Sequence, residues 1–186
     1  MKTQRCGWCS DDPLYIAYHD EEWGKPEHDE ARLFEMLCLE GQQAGLSWIT
    51  VLKKRESYRQ HFFNHPIADI AAFTDDFLET KLSDAGLIRH LGKLKAIRDN
   101  AIAWQALKAQ VGDVSKWLWQ FVDATSQHND VADYRNAPAQ TELSLKLSKT
   151  LKKNGFKFVG PTICYAFMQA VGMVNDHENN CQFKAS

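Results

Sequence analysis

The sequence predicts an all-α protein. Apolar residues recur at i, i+3 and i+4 over most of the chain, and capping residues and Pro or Gly stops punctuate that pattern at helix-length intervals. No Asn-Gly or Asp-Gly turn joins two alternating apolar runs, so strand signals are weak. The 186 residues are 44% hydrophobic and 25% charged, which is ordinary globular composition and excludes disordered, collagen-like and coiled-coil chains. No apolar run approaches the ~18 residues of a membrane span. Residues 1–20 lack the apolar stretch of a signal peptide, so a cytoplasmic location is expected. Five cysteines in a reducing compartment point to metal binding or inert burial rather than to disulfides. One unit over residues 1–186 is expected, with two helical lobes compatible, and nothing suggests more than a monomer.

The elements follow in order. Asp12 caps a short helix over 14–22, with Pro13 at its first position. Asp29 caps a helix over about 30–44, whose stripe is Leu33, Met36 and Leu37. A break at Gly45-Leu46 leads to Ser47, a cap for a helix over about 48–61. Pro66 starts a short helix to residue 73, and Thr74 caps another to residue 82. Asp84 to Ile88 is a tight turn before a long helix over about 89–108. Residues 115–122 form a short aromatic helix, and 123–140 read as a loop. A helix over 142–153 is stopped by Asn154-Gly155, and Pro161 opens the last one, closed by Gly172.

The net charge of −2 hides a strong asymmetry. Ten acids and two bases lie between Asp11 and Glu40. Four bases and no acid lie between Arg89 and Arg98, and five lysines and one acid between Glu142 and Lys157. Lys53, Lys54 and Arg55 add a third basic point. These are either solvated helix faces or a polyanion-binding surface assembled from three elements.

Cys6 and His19 lie near one end of the chain, and His177 and Cys181 near the other. A Cys2His2 set would satisfy tetrahedral zinc and tie down segments that otherwise fray. A buried Cys6 beside unrelated histidines is the alternative. Cys6-Gly7-Trp8-Cys9 also has the spacing of a redox pair, but no strand precedes it, and Asp11 and Asp12 would raise a thiol pKa rather than lower it. Glu40 extends the stripe of Leu33, Met36 and Leu37 by one turn. It therefore lies on an apolar face near a helix C-terminus, where the dipole disfavours negative charge. Either it escapes to water or it is an acceptor held among Trp8, Tyr18 and Trp48, rings that suit a flat cationic ligand by stacking plus charge. The turn at Asp84–Ile88 resembles a helix-hairpin-helix: Gly86 and Leu87 match its pattern, while Ile88 replaces the second glycine.

Taken together, several blocks resemble the 3-methyladenine DNA glycosylase I family. They are Cys6 to Trp8, Asp12 to Asp20, Glu22 to Gly24, Leu39 to Ile49, Gly155 to Gly160 and Val174 to His177. The resemblance covers nearly the whole chain. It implies a helix-hairpin-helix glycosylase fold, with the hairpin expected at about 75–108. It also implies a structural zinc ion on Cys6, His19, His177 and Cys181. Glu40 and Tyr18 would bind the edge of an extruded base, Trp48 would stack on it, and Trp8 would line the pocket. Leu46, exposed by Gly45 at the turn, would fill the gap in the DNA stack, and Gly86 and Lys93 would contact DNA. The implied activity is hydrolysis of the N-glycosidic bond of 3-methyladenine in double-stranded DNA, releasing the free base and leaving an abasic site. Many glycosylases of this fold use an Asp after the hairpin helix, and none occurs from Leu87 to Arg98. A non-catalytic DNA-binding module, a zinc hydrolase and a thiol oxidoreductase are the competing classes.

Overall fold

The computed structural model describes residues 3–184. Its helices are α1 (Pro13–Glu21), α2 (Glu30–Gln42), α3 (Trp48–Tyr58), α4 (Ile67–Ala71), α5 (Asp75–Thr80), α6 (Leu91–Val111), α7 (Val114–Trp119), α8 (Glu142–Lys153) and α9 (Pro161–Ala170). The local signals explain most of the boundaries. The Asp12, Asp29, Thr74 and Thr141 side chains each accept a backbone N–H at the start of their helix. Ser47 precedes α3 but its hydroxyl pairs with Thr50 instead of capping. α3 passes into a π-helical turn at Arg59–Phe63, so the helical path runs further than its pattern suggests. α6 begins at Leu91 because the His90 side chain, not Arg89, caps it by accepting from the Lys93 N–H.

The main departure lies in the segment expected to be a loop. Residues Gln127–His128 (β1) pair in parallel with Val174–Asn175 (β2), in the register Gln127 to Val174 and His128 to Asn175. A two-residue strand has no periodicity to detect, and its partner lies 47 positions away.

The core is one continuous cluster. α2 is buried along nearly its whole length, with Leu33, Phe34, Leu37 and Leu39 each at most 1% exposed. It packs against α6, α9, α3 and α7, while α8 lies on α9. The chain turns from α9 into β2 through Gly172, which has φ +73 and touches the Lys25–Pro26 backbone. A Cβ there would overlap the Lys25 carbonyl as well as forcing a side chain into the left-handed region. Gly172→Ala is therefore expected to destabilise the fold by about 3 kcal/mol, measured by urea unfolding. A change within about 0.5 kcal/mol would show that this packing is loose. Among the described residues, no helix is long and apolar enough to cross a membrane.

Candidate active site

A cavity of about 230 Å³ opens between α1, the end of α2 and the start of α3. Its walls include Trp8, Tyr18, Glu40 and Trp48, which the sequence had singled out, and Gln169 and Asp176, which it had not. Glu40 is 3% exposed, and its carboxyl makes no hydrogen bond among the described residues. Burial with no compensating partner pushes its pKa up to about 8. Tyr18 is also buried, and its pKa is raised by that burial and then by Glu40. The Tyr18 ring lies 5.4 Å from that of Trp48, tilted by 46°. The Trp48 indole N–H is buried without an acceptor. The cavity wall thus carries a carboxyl and a phenol that make no hydrogen bond among the described residues, and Trp48 beside them buries an indole N–H that has no acceptor there either. Such groups are expensive unless a ligand meets them. Trp8 packs edge-on to Trp23 at 4.9 Å and to His19 at 5.1 Å, which fixes its ring against the cavity.

Asp176 is the second carboxylate of the cavity wall. It accepts from the Tyr165 hydroxyl, from Gln169 at 2.9 Å and from Asn129 at 2.7 Å. It lies just beyond α9, far from the Leu87–Arg98 stretch in which the sequence pattern suggested looking for such an acid. The Asn129 donor comes from the supposed loop, which explains why neither residue stood out.

Behind the cavity, Cys6, His19, His177 and Cys181 are all buried, and their ligand atoms lie within 4.8 Å of one another. The His177 Nδ1 is 3.4 Å from both the Cys6 and Cys181 sulfurs, and the His19 Nε2 is 3.6 Å from the Cys181 sulfur. Sulfur and nitrogen ligands on a tetrahedral zinc-sized ion stand about 3.5 Å apart. The outer contacts suit metal binding as well. The His177 Nε2–H donates to the Trp23 carbonyl at 2.9 Å, and the His19 Nδ1–H to Asp20 at 2.7 Å, so each ring turns a lone pair inward. Hydrogen bonds from Arg5 and His19 outweigh burial and hold the Asp20 carboxyl below its usual range. Burial lowers His177 to about 4 and keeps it neutral, the form that coordinates. Backbone N–H groups of Glu178 and Phe183 point at the two sulfurs. These four residues can hold a metal ion. Cys9 lies apart, its thiol donating to the Ser10 carbonyl.

The expected DNA contacts fare differently. Gly45, with φ +79, and Leu46, 41% exposed, form a protruding turn after α2. Lys93 does not reach outward. It is 7% exposed, and its ammonium donates to the Gln42 and Ala44 carbonyls at 2.9 and 2.6 Å. Gln42 returns the contact by donating to the Lys93 carbonyl at 2.9 Å. Lys93 therefore positions the Gly45-Leu46 turn and is not a free phosphate ligand. Of the other bases along 89–98, two are engaged in surface ion pairs, while Arg89 is exposed and makes no ion pair among the described residues. Lys95 and Arg98 both pair with Asp75, at 2.9 and 2.6 Å. Likewise Lys53 pairs with Asp12 and Arg55 with Glu22. Gly86 is pressed against Ser57, and Asp84 binds His61 at 2.6 Å, so that turn faces α3. By contrast, Lys149, Lys152, Lys153 and Lys157 are exposed and make no ion pair among the described residues.

A family model described as methyladenine glycosylase matches residues 8–185. The chain belongs to the methyladenine glycosylase family. The chain is 52% identical over 184 residues to the DNA-3-methyladenine glycosylase of Haemophilus influenzae, spanning 99% of this chain and 100% of that one. A crystal structure of 3-methyladenine DNA glycosylase I matches with a TM-score of 0.93 and 55% identity, covering 96% of this chain and 98% of that one. A tyrosine-to-phenylalanine variant of 3-methyladenine DNA glycosylase I, solved in complex with 3-methyladenine, matches with a TM-score of 0.94 and 32% identity, covering 98% of each chain.

Proposed function

We propose that the protein excises 3-methyladenine from double-stranded DNA, hydrolysing the N-glycosidic bond and leaving an abasic site. The observation that carries this reading is Glu40, an unpartnered buried carboxyl at the edge of an aromatic cavity. A base cannot be reached inside a duplex, so it must be extruded into such a cavity. Methylation at N3 makes the adenine of the nucleotide cationic and a good leaving group. The site then needs chiefly to bind that cation and stabilise the developing charge. Glu40 and Tyr18 meet the edge of the base, and Trp48 stacks on it, with Trp8 closing the pocket. Glu40 is largely protonated in the bare cavity near neutral pH, and an entering cation favours its ionised form. Asp176, held by its three donors, supplies a second negative group beside the reacting bond.

Zinc suits the Cys6, His19, His177 and Cys181 set, and four protein ligands leave no open position for catalysis. Such an ion ties the chain ends together.

The distribution of unpaired charge supports a different phosphate-facing hairpin from the one at about 75–108. α8 and α9 pack on each other and are joined by the 154–160 segment. α8 ends in a Schellman motif, with the Phe156 N–H bonded to Leu151 O and the Gly155 N–H to Lys152 O. This hairpin carries Lys149, Lys152, Lys153 and Lys157, which make no ion pair among the described residues. The protein is read as a cytoplasmic monomer acting on duplex DNA.

The test is base release from methylated duplex DNA, with the products separated by identity. Release of free 3-methyladenine is expected, and release of no base would defeat the reading.

A further inference from the structure

Phe158 is a bulky aromatic residue held in the left-handed region, at φ +52, and left 38% exposed. An aromatic side chain adopts that backbone only where its surroundings impose it. They do so on both sides. Buried Asn100 accepts from the Lys157 N–H at 2.7 Å and donates to the Lys157 carbonyl at 3.2 Å. On the other side, the Val159 carbonyl accepts from Ser148 and from the Cys164 thiol. The chain is pinned at 157 and 159, and the residue between them is turned out to solvent.

Its position is specific. Phe158 rests on Gly41 in the last turn of α2: a Cβ on Gly41 would lie 3.1 Å from the Phe158 Cβ and 3.2 Å from its carbonyl oxygen. Gly41 adjoins Glu40, and the turn bearing Leu46 follows α2 directly. Two exposed apolar side chains therefore stand at the end of the helix that carries Glu40. Lys152, Lys153 and Lys157 precede Phe158 in sequence, exposed and without acidic partners among the described residues.

We propose that Phe158 is a second apolar anchor on duplex DNA, packing against the stack beside the extruded nucleotide while Leu46 enters it. This rests on the glycosylase reading and assigns part of its DNA contact. An apolar ring on a hairpin that carries unpaired lysines matches a base stack bordered by phosphates. Rigid presentation suits a wedge, which must not fold back when it meets the stack.

The experiment compares wild type with Phe158→Ala and Phe158→Trp. It measures affinity for a duplex holding a stable abasic analogue by fluorescence anisotropy, single-turnover release of 3-methyladenine, and binding of free 3-methyladenine by titration calorimetry. For Phe158→Ala, a loss of about tenfold in duplex affinity and in single-turnover rate is expected, the range of one lost aromatic–base contact. Free-base binding and melting temperature should stay at wild-type values, and Phe158→Trp should restore most of the loss. Unchanged duplex affinity in Phe158→Ala would overturn the proposal, as would an equal loss of free-base binding, which would place Phe158 behind the pocket. If wild type released no base, the glycosylase reading would fall, whereas the anisotropy comparison would still decide whether Phe158 touches DNA.

Discussion

Glu40→Gln is expected to slow 3-methyladenine release by a hundredfold or more, roughly 3 kcal/mol of lost transition-state stabilisation. Glutamine fills the same space but cannot offer a full negative charge to a cationic base. The same substitution should also stabilise the protein in alkaline solution. Glu40 titrates at about 8 in the folded chain, against roughly 4.3 for a glutamate in water. The folded state holds the proton more tightly than the unfolded one. The stability this provides is complete below about pH 4 and is lost as pH rises through about 8. Glutamine has no proton to lose. The variant should therefore match wild type near pH 4 and exceed it by on the order of 5 kcal/mol at pH 9. Denaturant unfolding at both pH values checks this. A difference in stability that does not change with pH would mean that Glu40 is solvated, and wild-type excision by the variant would remove it from the mechanism.

Removing the metal should have the other large effect, and mainly on stability. Chelation of the holoprotein, or Cys181→Ser, is expected to lower the melting temperature by about 10 °C or more, since losing a structural site is equivalent to several kcal/mol. Metal analysis should find one zinc per chain in wild type and none in the variant. Two chain ends would be released together, because the four ligands come two from each. Below its new melting temperature, the metal-free protein should still release 3-methyladenine when presented with methylated DNA, though less efficiently. Complete and immediate loss of chemistry with the fold intact would instead make the metal catalytic.

What could be read in advance depended on how local the cause was. Asp12-Pro13 and Thr74 announce helices because the cap is satisfied within three residues. Glu40 was visible because helical period alone puts it on the face of Leu33, Met36 and Leu37. The Cys and His pairs stood out by residue type, although their convergence required the fold. Lys93 was misread for an equally physical reason. In sequence it is one of four bases, yet its ammonium is captured by carbonyls roughly 50 positions earlier. Lys95 and Arg98 share Asp75, which lies on another helix, and Arg98 also pairs with Asp99. A run of bases shows where charge is encoded, and only the partners show where it stays available. Asp176 escaped notice because its holders, Asn129, Tyr165 and Gln169, belong to two segments whose meeting no pattern encodes. The hairpin at 154–160 was quoted as a family block, but its lysines acquire meaning only once Lys93, Lys95 and Arg98 are seen to be engaged elsewhere.

The arrangement around the metal ligands bears on how the enzyme is made. Trp8 follows Cys6 by two residues, Tyr18 precedes His19, and Asp176 precedes His177. The walls of the base cavity are thus the immediate neighbours of the ligand cluster, and Cys6 meets His177 across 171 positions. During synthesis the part of the cavity around Trp8, Tyr18 and Glu40 emerges well before the segment around Asp176 and must wait for it. Contacts of such separation form late. A chain arrested before residue 176 would carry Glu40 and Trp48 but no enclosed site for a base. Incomplete products of translation would therefore lack the means to cut bases from the genome.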